Sequence, residues 1–146
     1  MKFTCSVTVQ KPRQEVVSYF SDPKYIKEYQ EGFQKIEHIS GDLGQKDAVS
    51  KLYYLHGKRK LELTETILKN DLPNEFFAQY HHIHTDNTMR NTFTSIDEHT
   101  TRYDAEIDYT AFRGFIVKVM VFLFPSFFKK QVQKWLNNFK VFVENQ

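Results

Sequence analysis

The chain of 146 residues lacks disulfide chemistry: its one cysteine, Cys5, has no partner within the molecule. That excludes an internal disulfide and fits a reducing, cytoplasmic compartment. The opening MKFTCSVTVQ has no apolar h-region, so neither a signal peptide nor a lipoprotein leader is expected. Long hydrophobic runs are missing too. The longest apolar stretch, FIVKVMVFLFPSFF at 115–128, is broken by Lys118 and Pro125. It falls short of the ~20 residues a spanning helix needs, so no transmembrane segment is expected. An excess of one charge is also absent. Twenty basic and 18 acidic side chains are interleaved to a net +2, which excludes the strong field of a nucleic-acid binder. No internal repeat, low-complexity tract or linker divides residues 1–146, which read as a single domain.

What the chain has is aromatic mass. Phe, Trp and Tyr make up 16% of it, and Phe alone contributes 14 residues, roughly twice the share of an ordinary soluble domain. The order of elements gives this mass a use. Phe3, Cys5, Val7 and Val9 alternate with Thr4, Ser6 and Thr8, the period of a strand with one buried face. Pro12 starts a helix carrying Val16, Val17, Tyr19 and Phe20, and Ser21-Asp22-Pro23 ends it and starts another over Lys24–Tyr29. A train of strands follows: Phe33–Ser40, Ala48–His56, Arg59–Lys69, Phe76–His84, Met89–Ile96 and Arg102–Phe112. Turns fall at Gly41–Gly44, Gly57, Asn70–Asn74, Thr85–Asn87 and Asp97–Thr100. The remainder is helical. Phe128, Val132, Trp135, Phe139 and Phe142 recur at spacings of four and three, and Leu136 and Val143 widen their stripe. Pro125 kinks this helix or begins a second one.

Turn positions predict facing, because residues directly opposite on antiparallel strands share a face. Closing one hairpin near Gly57 puts Ser50, Leu52 and Tyr54 inside. Centring the next on Leu72 pairs Ile67 with Phe77, Glu65 with Gln79, Leu63 with His81 and Leu61 with Ile83. Glu62, Thr64, Thr66 and Tyr80 are left on the outer face. The facing of Met89–Ile96 stays open. The inner surface is then apolar with a few polar points: Ser50, Tyr54, Glu65, Gln79, His81, Tyr103 and Tyr109. That is the make-up of a small-ligand pocket.

At this point the chain resembles the START-like helix-grip proteins, the SRPBCC superfamily of polyketide cyclase/dehydrase and lipid-transport domains, over nearly its whole length. SVTVQKP running into RQEVVSYFSDPKYIKEYQ is similar to that group's opening, through Pro12, Glu15, Val16, Val17 and Asp22. Tyr29 stands where bacterial members often carry Trp. LTETILKNDLPNEFF resembles the central hairpin with Pro73 in its turn, and KWLNNFKVFVE resembles the closing helix. The resemblance implies an α+β fold: a curved antiparallel sheet of six to seven strands around a long C-terminal helix, with two short helices after the first strand. It implies a held hydrophobic molecule, and only some members are enzymes. No subfamily-specific catalytic motif stands out, and no cofactor is expected.

The sharper readings weigh against plainer ones. HHIH at 81–84 offers two histidines on one strand face, but zinc needs three or four ligands. The pairing above puts His82 and His84 outside, so surface histidines are favoured and no metal is expected. Glu65 and His81 invite an acid–base pair. The plainer reading, a polar pair that orients a ligand or bridges through Gln79, is favoured. Cys5 reads as a core residue. Residues 115–124 are apolar nearly all round, which fits burial with part of the surface at a homodimer interface. Peripheral contact with a membrane, aided by Lys118, Lys129 and Lys130, is the other open reading. The expectation is a carrier of a small hydrophobic molecule such as a lipid, a polyketide or an isoprenoid-like compound. The cavity wall is expected at Leu52, Tyr54, Leu63, Glu65, Gln79, His81, Tyr103, Tyr109, Val132, Trp135 and Phe139. A cyclase or dehydratase-type enzyme is the alternative, and an interaction module on the same frame is a third.

Overall fold

The structure is a computed structural model that describes residues 1–146. It is α+β. Seven strands form one antiparallel sheet: β1 (Lys2–Val9), β2 (Phe33–Ser40), β3 (Val49–His56), β4 (Arg59–Asp71), β5 (Glu75–His81), β6 (Thr85–Asp97) and β7 (Thr100–Phe112). Their order in the sheet is β1-β7-β6-β5-β4-β3-β2, so consecutive strands from β2 to β7 are hairpin neighbours and β1 returns beside β7. Two short helices, α1 (Arg13–Ser21) and α2 (Ile26–Tyr29), connect β1 to β2. A nine-residue helix α3 (Phe115–Leu123) and an 18-residue helix α4 (Phe127–Glu144) close the chain. The expected architecture is present, with Pro125 separating two helices. No helix is long and apolar enough to cross a membrane.

Helix α4 lies along edge strand β1 and satisfies its outer row. Gln133 accepts from the Ser6 amide at 3.3 Å and donates to the Ser6 carbonyl at 3.0 Å. Lys140 donates to the Thr8 carbonyl, and Glu144 accepts from the Gln10 amide. An edge covered this way cannot template another strand. The apolar stripe of α4 turns inward: Val132, Leu136, Phe139 and Val143 are buried. The solid core lies under its second half, where Val7, Val9, Val16, Phe93 and Tyr103 pack against Phe139 and Val143. Cys5 belongs to this core and is 1% exposed. Burial pushes its thiol up, against the pull of Lys129.

Two features of the β4–β6 region differ from expectation. The β5–β6 turn falls at residues 82–84, so Thr85–Asn87 belongs to β6. In the β4–β5 hairpin, Ile67 pairs with Ala78 but Lys69 pairs with Phe77, so one residue bulges at Leu68. A strand has a side-chain period of two, and one extra residue therefore exchanges its faces relative to the partner. Above the bulge, Glu65 pairs with Tyr80 instead of Gln79, and His81 pairs with Thr64 instead of Leu63. The β3–β4 hairpin closes at Gly57, whose φ of +64° suits glycine, and sets Ser50, Leu52 and Tyr54 opposite Glu65, Leu63 and Leu61 as expected. In β6, Met89, Asn91 and Phe93 pair with Ala78, Phe76 and Tyr103 and so face inward.

Candidate ligand cavity

The curved sheet is wider than one helix can fill. Between β3–β7 and the first half of α4 remains a cavity of about 710 Å³. That lies within the roughly 300–1,000 Å³ of small-molecule sites. Its walls are mostly apolar, with Leu52, Leu61 and Leu63 on the sheet facing Val132 and Trp135 on α4. Val117 and Met120 of α3 close it at one end. At the other, Leu43 and Gly44 meet Asn70, whose side-chain amide donates to the Gly44 carbonyl at 2.7 Å.

Leu52, Tyr54, Leu63, Glu65, Tyr109, Val132 and Trp135 line this wall. Tyr103 and Phe139 sit deeper. They line a small recess of about 50 Å³ beside Phe20, Tyr29 and Leu136, inside the aromatic core. Gln79 and His81 are a correction. The bulge turns both to the outer face, where both are exposed. His81 meets Asp86 there, Nδ1 to Oδ1 at 2.5 Å, and cannot pair with Glu65. Their place inside is taken by Tyr80. His82 and His84 are corrected in the opposite sense: both line the cavity near the α3 end. Their rings are 5.4 Å apart, and no three His, Cys, Asp or Glu side chains gather as a metal site. Burial, then the neighbouring His84 and Arg59, lowers the His82 pKa.

The polar centre of the cavity is Glu65 with Tyr80. The Tyr80 hydroxyl donates to Glu65 Oε2 at 2.8 Å. Burial raises the Glu65 pKa above the usual carboxylate value, and the Tyr80 hydrogen bond opposes that rise. Burial, then the Glu65 charge, holds the Tyr80 hydroxyl well above its ordinary value. Tyr54 donates to Gln30 Oε1 at 2.5 Å and stacks on Trp135 at 6.2 Å between ring centres, 8° from parallel. Trp135 Nε1 is a buried donor with no partner. At the α3 end, burial pushes the Tyr109 hydroxyl up to about 12. Tyr80 could have been found from composition. Phe76, Ala78 and Tyr80 form the more apolar of the two alternating sets in β5, and Gln79 and His81 the more polar.

The aromatase/cyclase Zhui from Streptomyces sp. R1128 superposes with a TM-score of 0.81 at 12% identity, covering 99% of this chain and 94% of its own. A conserved protein from Geobacillus kaustophilus gives 0.80 at 13% identity, over 99% and 96%. Ara h 8.0201 gives 0.76 at 12% identity, over 100% and 99%. This is the helix-grip fold. No family model matches the chain, and no curated protein is similar to it in sequence. At these identities the helix-grip likeness is one of fold.

Proposed function

We propose that this helix-grip protein is a cytoplasmic carrier of a small hydrophobic molecule of lipid, polyketide or isoprenoid-like type. The supporting observation is the cavity of about 710 Å³, apolar over most of its wall, with the hydrogen-bonded Glu65 and Tyr80 among its polar groups. A ligand hiding about 300 Å² of apolar surface would gain roughly 7 kcal/mol before the costs of association. Apolar area supplies affinity. The Glu65–Tyr80 pair supplies orientation, since a hydroxyl of the ligand can donate to the carboxyl or to the phenol oxygen there. Leu52, Leu63 and Val132 supply the apolar contacts. Tyr103 and Phe139 support the wall from beneath.

Titration with an anilinonaphthalene or fatty-acid fluorescent probe tests this reading. Binding should saturate near one probe per chain and be reversed by unlabelled fatty acid. Glu65→Gln should change which competitors displace the probe. A chain that binds no probe, and that retains no small molecule in native mass spectrometry, would refute the carrier.

One observation favours a second reading. A carboxyl group raised in pKa by burial and oriented by a tyrosine can act as a general acid. Zhui, which has this fold, is described as an aromatase/cyclase. In that reading Glu65 protonates a carbonyl or hydroxyl oxygen of a polyketide-like substrate and Tyr80 holds the carboxyl in place. Turnover of a polyketide mimic that disappears in Glu65→Gln, with probe binding and folding intact, would establish the enzyme instead.

A further inference from the structure

Helix α3 presents the wrong surface to water. Phe115, Ile116 and Phe122 are 82%, 80% and 84% exposed, and Leu123, Phe124 and Phe127 extend the same patch. Phe115 and Phe122, like Ile116 and Leu123, are seven residues apart, so both pairs return to one outward side of the helix. Val117 and Met120 face the other way, onto the cavity. The apolar sequence predicts burial of the segment with part of it at an interface; no residue of it is buried and most are exposed.

The charge around the patch has one sign. From Tyr109 to Val143 the chain carries no Asp or Glu and six Lys or Arg. Arg113, Lys134 and Lys140 are taken up by Asp86, Glu31 and Glu144. Lys118, Lys129 and Lys130 are exposed, with no carboxylate in ion-pair reach of any of them. A two-fold contact between copies would set these lysines against their own equivalents with no acid in the patch to pair them. A bilayer with anionic headgroups answers both features, because apolar rings enter the acyl boundary while lysines meet phosphate.

We propose that α3 and the start of α4 dock the protein on an anionic lipid surface. Phe115, Ile116, Phe122 and Phe124 insert, and Lys118, Lys129 and Lys130 lie at headgroup level. Val117, Met120 and Phe127 are shared between this region and the cavity wall, so docking sets the α3 end of the cavity against the acyl layer. Exchange of ligand with the bilayer rests on the carrier reading; docking itself does not.

Co-sedimentation of the full chain with vesicles tests the proposal. The protein should bind phosphatidylcholine vesicles containing phosphatidylglycerol at least ~10-fold more tightly than phosphatidylcholine alone, and added salt should erode the difference. Reversing Lys118, Lys129 and Lys130 to Glu together should weaken binding to the anionic vesicles by about 100-fold or more. Phe115→Ser with Phe122→Ser should weaken binding to both vesicle types. These side chains are exposed and off the cavity wall, so melting temperature and probe stoichiometry should not move. Absence of binding to anionic vesicles, or binding unchanged in both variants, would overturn the proposal. So would a dimer in solution that Phe122→Ser dissociates, which would assign the patch to a second copy. Vesicle binding without probe binding would keep the docking surface and remove the carrier.

Discussion

Truncating the larger of two aromatic rings on α4 should cost less than truncating the smaller. Phe139 is 1% exposed, and its ring meets Tyr29, Tyr103 and Phe20 edge-on at 5.0, 5.5 and 6.5 Å. Phe→Ala in a close-packed core costs about 3–5 kcal/mol, and three aromatic neighbours that cannot collapse place this site near the top of that range. Trp135 is larger but borders space that is already empty, so its removal creates little new void. It loses mainly the Tyr54 stack, and it also removes a buried N–H without a partner, a group whose burial costs ~1–3 kcal/mol. The net cost of Trp135→Ala should then be about 1–2 kcal/mol. The sequence stripe alone makes Trp135 an anchor; the cavity beside it reverses that order. Lys134, in an ion pair with Glu31 whose side chains are 53% and 60% exposed, sets the baseline, and Lys134→Ala should cost under ~0.5 kcal/mol. Urea unfolding followed by far-ultraviolet circular dichroism separates the three. With m near ~2 kcal/mol per M, Phe139→Ala should lower the midpoint by about 2 M and Trp135→Ala by under ~1 M. A Trp135→Ala midpoint as low as that of Phe139→Ala would mean that the indole is packed on all sides and that the cavity beside it is not open.

The raised Glu65 pKa fixes a sign for stability against pH. Below the unfolded carboxylate value both states are protonated and nothing is lost; as pH rises the unfolded chain ionises first, so stability falls until the folded value is passed. Glu65→Gln should therefore gain on the parent in melting temperature from pH 4 to pH 8, and a difference that is flat or reversed would contradict a buried carboxyl. Asp86 has the opposite sign. The Arg113 hydrogen bond is the largest cause holding its carboxyl down to about 2, so its contribution is present above the usual carboxylate value and lost as pH falls toward 2. Acid unfolding of Arg113→Gln should begin at higher pH than that of the parent. Amide exchange in the 82–86 turn should also quicken, because Arg113 donates to the His82 and Ile83 carbonyls there. His81→Gln should leave probe affinity unchanged, since the imidazole lies on the outer face.

Most of the architecture was legible because period is a local property. The alternation of Thr100–Phe112 and the four-and-three spacing along α4 each declare a face without reference to other strands. The walls contributed by β3 and β4 follow from one well-marked turn at Gly57. The wall contributed by β5 depends on a count through Leu68, and a bulge leaves no mark in the residues that form it. Counting from the turn puts Gln79 and His81 inside, whereas their polarity against Ala78 and Tyr80 points the other way. Exposure of α3 could not be read either. An all-apolar helix carries no pattern to show which side lacks a neighbour, and the acid-free stretch from Tyr109 to Val143 is informative only once Lys118, Lys129 and Lys130 are seen to gather around it.

The Leu68 bulge also gives β4 one residue of slack. Ile67 meets Ala78 on one side of it and Lys69 meets Phe77 on the other. Loss of the single residue at 68 would make those two pairs adjacent and leave the rest of the ladder as it is, with Glu65 still opposite Tyr80 and Gln79 and His81 still outside. The ladder would become regular and the ligand wall would keep its groups. A strand built this way can shorten by one codon at that point without moving a carboxyl or a phenol out of the interior.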